Sequence, residues 1–288
     1  MEISILQFFQ SLRSGFGTFL ACLFSLFGET LFLVVFICLI YWLYHKNLGE
    51  KLVLTAFSSM AINGFLKCLV ARPRPYTTGK VTRVDVDNAL ISTTGLADFE
   101  SFPSGHSQMG ASLFFTGAFH YKKTWGWILF PLLTLGVMLS RLYFGVHYPT
   151  DVLVGASLGI AFACFWEWIY QKAEKYKYWV FLPFAVASIV FSAIFPSKHM
   201  IELCACAIAV CICLPLENKF IGFSDATSAK NRVFRALVGL GCVGVVFGLF
   251  SFLPFAFLEL WRWKFVKYFS TIVTATLLVP FLFKKLKI

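Results

Sequence analysis

From Thr30 to the C-terminus, apolar runs follow one another with short polar breaks, at roughly 30–44, 52–70, 105–121, 126–141, 151–170, 178–195, 199–216, 234–258 and 266–283. Most approach the roughly 20 residues that a helix needs to cross the hydrocarbon of a bilayer. A membrane-spanning chain satisfies its backbone polar groups within each helix, so the pattern predicts an all-α integral membrane bundle. Residues 1–28 differ. Ile5, Phe8, Phe9, Leu12 and Phe16 recur at helical spacing with polar residues opposite, the pattern of a helix lying in the membrane interface. This segment lacks a basic start and is interrupted by Gln7, Gln10 and Arg13, so it does not read as a cleaved signal peptide.

Composition agrees with the pattern. Of the 288 residues, 59% are hydrophobic and only 14% charged, where a soluble domain has about 25% charged. The net charge of +11 does not point to nucleic acid, because the Lys and Arg residues are scattered between apolar spans and form no single basic face. They report orientation. Alternate connections hold Lys46, Lys51, Lys122, Lys123, Lys172, Lys175, Lys177, Lys219, Lys230, Arg232, Arg235, Lys284, Lys285 and Lys287. By the positive-inside rule that richer set is cytoplasmic. Trp42, Trp125, Trp127, Trp166, Trp168, Trp179, Trp261 and Trp263 fall near the proposed span ends, where amphipathic rings suit the interface. The nine cysteines lie within or beside apolar runs and read as free thiols. The cluster Cys204, Cys206, Cys211 and Cys213 has no His or carboxylate among its members and reads as helix packing, not a metal site.

Three polar segments sit at the mouths of apolar helices, on the connections opposite the cytoplasmic set. They are Lys67 to Pro75, which contains Arg72 and Arg74; Pro103-Ser104-Gly105-His106; and Ser140-Arg141 through His147 to Asp151. Singly, each has an ordinary explanation. Lys67 is a snorkelling lysine at a helix end, Arg72-Pro73-Arg74-Pro75 a helix stop, Ser104 a helix cap, and His147 with Asp151 a helix start. Those explanations leave the shared face and the fixed spacings unaccounted for.

Phosphoryl transfer accounts for both. A phosphoryl group in transfer carries negative charge on its equatorial oxygens, so its site needs fixed cations and backbone N–H donors. Lys67, Arg74 and Arg141 supply the cations, and Ser104, Gly105 and His106 offer N–H groups at a helix start. One histidine must be neutral to attack phosphorus, and another protonated to give its proton to the leaving oxygen. A carboxylate four residues after a histidine shares its helix face and can hold its tautomer. His147 with Asp151 fits the nucleophile, which leaves His106 as general acid.

These residues resemble, segment by segment, the signatures K-x6-R-P, P-S-G-H and S-R-x5-H-x3-D of the type 2 phosphatidic acid phosphatase superfamily. The match is complete at Lys67, Arg74, Pro75, Pro103, Ser104, Gly105, His106, Ser140, Arg141, His147 and Asp151. Only Arg74 has the family spacing from Lys67, so Arg72 stands behind the site at most. The resemblance implies a phosphohistidine on His147, protonation of the leaving group by His106, Asp151 as orienting partner, and no metal or other cofactor. It also implies a six-helix core. The expected organisation is therefore an interfacial segment at 1–29, a catalytic six-helix membrane core at 30–198 and about three additional transmembrane helices at 199–288, which no motif explains.

The expected function is hydrolysis of a lipid phosphate or diphosphate, such as undecaprenyl diphosphate, at the non-cytoplasmic face of a membrane, the plasma membrane in a bacterium. The expected partners are that substrate and membrane lipids, with no nucleic acid. Three rival readings remain: a phosphatase of a soluble ester resembling glucose-6-phosphatase in span count, a lipid phosphotransferase, and an anion transporter or binding protein. The connection 76–102 is long for a bundle and reads equally as a substrate-selecting lid or a solvated loop. Leu142, Tyr143, Phe144 and Tyr148 are candidates to line a lipid's path, with core packing the plainer reading.

Overall fold

The computed structural model describes residues 1–86, 91, 93, 94, 96–252 and 260–288. Among these the chain forms helices α1 (Glu2–Ser11), α2 (Gly15–Leu26), α3 (Thr30–Leu39), α4 (Lys46–Val70), α5 (Gly105–Tyr121), α6 (Thr124–Tyr143), α7 (Pro149–Lys172), α8 (Lys177–Ile194), α9 (Lys198–Leu216), α10 (Ala229–Phe252), α11 (Leu260–Val273) and α12 (Val279–Leu286). No strand occurs among the described residues, and the protein is an all-α integral membrane protein. Among the described residues, seven helical stretches are long and apolar enough to cross a membrane, or eight if α2 and the helix from Thr30 to Tyr44, bent by 46° at their junction, are one span. The end of the expected span 234–258 lies outside the described residues.

By internal contacts the chain divides into two compact units, Met1–Val34 with Ile62–Trp168, and Val35–Ala61 with Ile169–Ile288. In the first, α5 packs on α6, and α1 and α2 pack on α6 as well. Two apolar clusters join these elements. Leu6, Val81, Leu142, Tyr148 and Val152 form one, and Ala21, Tyr143, Phe144 and Val146 the other. The four residues considered for a lipid path thus belong to the core. The chain at 1–28 forms two helices because Ser14 interrupts the periodicity: its hydroxyl accepts the Gly17 N–H at 3.0 Å and caps α2.

In the second unit, α9 packs against α8 and α11, and α10 packs against α11. Trp42 is fully buried and donates its indole N–H to the Ala275 carbonyl at 2.9 Å. Here α4 begins at Lys46, six residues before the apolar run expected from 52. The reason is charge pairing. Lys46 meets Glu217 at 2.5 Å and Glu50 meets Lys177 at 2.9 Å, so polar residues that look like a span boundary are buried with partners. All nine cysteines are free, and Cys204, Cys206 and Cys213 are buried on α9.

Candidate active site

The ends of α4 and α6, the starts of α5 and α7 and one loop stretch build the site, all within the first unit. Lys67 lies in the last turn of α4, which ends in a left-handed residue, Ala71, with φ of 44°. The chain turns there into Arg72-Pro73-Arg74-Pro75, where proline forbids continued helix. The stretch 97–101 then runs alongside, and its backbone carbonyls accept hydrogen bonds from the cations. Lys67 Nζ donates to the Glu100 carbonyl at 2.6 Å, and Arg74 Nε to the Ala97 carbonyl at 2.9 Å. The same stretch is tied back to the arginine segment by Arg74 N–H to the Asp98 carbonyl (2.8 Å) and Ser101 N–H to the Arg72 carbonyl (3.0 Å). The end of the long 76–102 connection is therefore scaffold for the cations. The lid reading of its middle falls partly on 87–90, 92 and 95, outside the described residues.

His147 is set by the turn between α6 and α7. Gly145 has φ of +71°, and a Cβ there would lie 2.7 Å from the Thr82 carbonyl and 3.0 Å from an Arg13 nitrogen, so the turn requires glycine. Asp151, in the first turn of α7, accepts the Tyr148 N–H at 2.8 Å, a reciprocal cap that fixes its carboxylate. The sequence reading takes Asp151 as the orienting partner of His147, and the two groups lie side by side. Their closest atoms, Nδ1 and Oδ2, are 3.6 Å apart, too long for a hydrogen bond. Ser101 stands between them: its carbonyl oxygen is 2.7 Å from His147 Nδ1, and its hydroxyl donates to Asp151 Oδ2 at 2.5 Å.

This geometry decides the tautomer. A carbonyl only accepts, so Nδ1 carries the proton and Nε2 keeps its lone pair. Nε2 is 3.3 Å from Arg74 Nη1, which also donates to the Val146 carbonyl at 3.0 Å. Burial pushes the His147 imidazole well below the usual histidine range, and the Arg74 and Lys67 charges push the same way against the nearby Asp151 carboxylate. The ring is held neutral, the form a nucleophile needs.

Arg72 is bound into this assembly. Its guanidinium donates to Asp151 Oδ1 and Thr150 Oγ1, each at 2.7 Å, and to Glu2 Oε2 at 2.6 Å, and it lies 3.9 Å from the Tyr148 ring centroid. Glu2, at the start of α1, also accepts the Thr150 hydroxyl at 2.7 Å. Burial raises the Glu2 pKa, but the Thr150 hydrogen bonds and the Arg72 pair outweigh it and hold the carboxylate below its usual range.

At the start of α5, Ser104 caps the helix by accepting from Ser107 N–H, while its own N–H donates to the Asp151 carbonyl at 2.9 Å. The Ser104 N–H is thus spent on the fold, leaving its hydroxyl hydrogen and the first-turn N–H groups of Gly105 and His106, which have no intrahelical acceptor. A Cβ at Gly155 of α7 would lie 2.5 Å from the Ser104 carbonyl, so that glycine lets α7 reach this turn. Arg141, 2% exposed, lies in the last turn of α6 and bonds the Ser25 hydroxyl, with its guanidinium 5.0 Å from the Phe144 ring centroid. His106 Nε2 is 3.0 Å from Glu29 Oε1, a partner the sequence analysis did not identify.

All the sequence-derived site residues come together. Arg74 lies within electrostatic reach of Lys67, His106, Arg141 and His147. Lys67 and Arg141, both nearly buried, each repel the nearly buried Arg74, and an anion with several oxygens relieves that cost.

Residues 49–175 match the family model for the PAP2 superfamily, and 201–288 match the model for the PAP2 superfamily phosphatase transmembrane extension. The second match covers the helices that no motif explains. The chain is 30% identical over 142 residues to the bacitracin transport permease protein BcrC of Bacillus licheniformis, covering 46% of this chain and 63% of that one. It is 27% identical over 170 residues to the lipid A 4'-phosphatase of Bacteroides thetaiotaomicron, covering 55% and 72%. A crystal structure of Aquifex aeolicus LpxE matches with a TM-score of 0.47 at 21% identity, over 57% of this chain and 93% of that one. With its superfamily domain at 49–175 and its transmembrane extension at 201–288, the chain belongs to the PAP2 superfamily.

Proposed function

We propose that this protein is a membrane phosphatase that removes a terminal phosphate from a lipid phosphate or diphosphate, through a phosphohistidine on His147. The carrying observation is the fixed tautomer of His147: Nδ1 against the Ser101 carbonyl at 2.7 Å, and Nε2 beside the Arg74 guanidinium at 3.3 Å. Lys67, Arg74, Arg141, the Ser104 hydroxyl and the N–H groups of Gly105 and His106 bind the phosphate oxygens. In the first step the Nε2 lone pair attacks phosphorus, the bond to the leaving oxygen breaks, and His106 protonates that oxygen. In the second, water attacks the phosphohistidine and gives its proton to His106. The cations and backbone donors supply the charge stabilisation that a metal supplies elsewhere. We further propose that 30–198 forms the catalytic core, that 1–29 lies along the interface, and that the site faces away from the cytoplasm.

A lipid substrate is favoured because the site is built where helices end, so a headgroup reaches it while its chain stays in hydrocarbon. A groove of about 620 Å³ between α2 and α6, lined by Phe24, Leu132, Leu135 and Leu139 among others, runs along the helix whose last turn carries Arg141. The name of the Bacteroides relative supports a lipid phosphate. The transport name of the Bacillus relative favours the rival reading of anion transport, but binding alone has no use for a second histidine beside one of fixed tautomer. Phosphate release by the purified chain tests the proposal, with phosphatidate, an isoprenoid diphosphate, a sphingoid phosphate and a hexose phosphate compared in detergent. Lipid-selective release is expected. No release from any of them leaves the transporter, and preference for the hexose phosphate leaves the soluble-ester phosphatase.

A further inference from the structure

Glu29 lies where two apolar helices meet at an angle. Neither α2 nor α3 is long enough to span a bilayer alone, and their 46° bend falls at Phe27-Gly28-Glu29. The bend turns Glu29 onto the histidine at the start of α5: Oε1 is 3.0 Å from His106 Nε2 and accepts the Ser25 hydroxyl at 3.3 Å. The same Ser25 hydroxyl accepts a hydrogen bond from Arg141 Nη2, so the carboxylate is joined to a phosphate-binding arginine through one side chain. Gly28 makes the approach possible. A Cβ there would lie 3.0 Å from His106 Cβ and 2.9 Å from Val137 Cγ1. Two independent features of the bend, a carboxylate and a bare backbone, therefore converge on one imidazole.

We propose that Glu29 is the positioning residue of the general acid, holding His106 by Nε2 so that Nδ1 is the nitrogen that protonates the leaving oxygen. The inference rests on the reading of His106 as general acid. An ionised carboxylate only accepts, so Nε2 keeps its proton throughout, and Nδ1 is the nitrogen free to lose and regain one. The electrostatics call for such a residue. Arg141 bonds the Ser25 hydroxyl that also bonds Glu29, so a charge of the same sign as an imidazolium at His106 stands beside it, and the Glu29 carboxylate supplies the opposite sign. Bound phosphate occupies the arginines, leaving the carboxylate to sustain the imidazolium. In the first step the His147 lone pair forms the N–P bond, the P–O bond breaks, and the Nδ1 proton converts the departing alkoxide to alcohol. His106 is then neutral, with its Nε2–H still on Glu29. In the second step water bonds phosphorus, the N–P bond breaks, and a water proton returns to Nδ1.

The test compares leaving groups. Single-turnover phosphate transfer to the full chain is measured from p-nitrophenyl phosphate, which needs little protonation on departure, and from phosphatidate in mixed micelles, which needs it fully. Both are read on one preparation, so their ratio is independent of the fraction of protein folded. For Glu29→Gln the phosphatidate rate is expected to fall about tenfold to a hundredfold more than the nitrophenyl rate, part of the 10²–10⁴ that a general acid contributes. The basic limb of the phosphatidate pH profile moves to lower pH, and Glu29→Asp lies between Gln and the parent. Equal losses on both substrates with an unmoved limb would show a merely structural role. His106→Ala separates the two readings: leaving-group dependence there but not in Glu29→Gln overturns the Glu29 proposal alone, and none in His106→Ala overturns the general-acid assignment with it.

Discussion

The carbonyl oxygen of Ser101 lies 2.7 Å from His147 Nδ1 while the hydroxyl of the same residue donates to Asp151 at 2.5 Å. One residue therefore fixes the tautomer through its backbone and the carboxylate through its side chain. Asp151 acts on His147 through space and through Ser101. Ser101→Ala keeps the carbonyl and loses the hydroxyl, leaving Asp151 with Arg72 and the Tyr148 N–H. A fall in kcat of about threefold to tenfold is expected, consistent with the loss of one hydrogen bond worth about 1 kcal/mol. Steady-state kinetics on phosphatidate check it, and a loss as large as that of His147→Ala would mean that Ser101 does more than orient.

The acid side of the pH profile follows from His147. The active form is neutral, and burial first, with Arg74 and Lys67, lowers its proton affinity. A depressed pKa keeps the nucleophile unprotonated as pH falls, so the acid limb of kcat/KM belongs well below the ordinary histidine value of about 6.5. Arg74→Gln removes one of the lowering charges and should move that limb up while reducing the rate. The substrate's own ionisation near pH 6 is titrated separately. An acid limb at or above the ordinary value contradicts the buried neutral imidazole.

Gly145→Ala tests the turn that delivers His147. The new Cβ meets the Thr82 carbonyl at 2.7 Å in a left-handed conformation, so a loss of about 1–3 kcal/mol is expected. Thermal unfolding in detergent should show a lower midpoint, and kcat should fall through displacement of Nε2. An unchanged midpoint would mean that the turn relaxes freely.

Sidedness is read with Lys80→Cys in a cysteine-free background, because Lys80 is exposed just beyond the arginine segment. An impermeant thiol reagent added outside intact cells should label it. Labelling only after permeabilisation would put the site on the cytoplasmic face.

The legible part of this molecule was the part in which chemistry dictates residue type. Phosphate requires cations, so Lys67, Arg74 and Arg141 stood out against apolar spans, and His106 and His147 stood out beside them. Carbonyl contacts are different. Those of Ala97, Glu100 and Ser101 depend on chain path, and no side-chain pattern betrays them. Glu29 was hidden for another reason: a carboxylate between apolar runs reads as a span boundary, and the expected first span accordingly began at Thr30, one residue later. The available signal was that the run before Glu29 and the run after it are each short for a bilayer. Glu2 and Arg72 form a pair 70 residues apart in sequence, which only the folded chain brings together.

The central claim is that phosphate passes through His147, and rapid-quench chemistry tests it most directly. Mixing the purified chain with ³²P-labelled phosphatidate and quenching in alkali should trap protein-bound phosphate that is alkali-stable and acid-labile, as phosphohistidine is. His147→Ala should trap none and turn nothing over, whereas His106→Ala should still be labelled by p-nitrophenyl phosphate. Acid-labile, alkali-stable phosphate on the His147→Ala protein would contradict the assignment of the nucleophile.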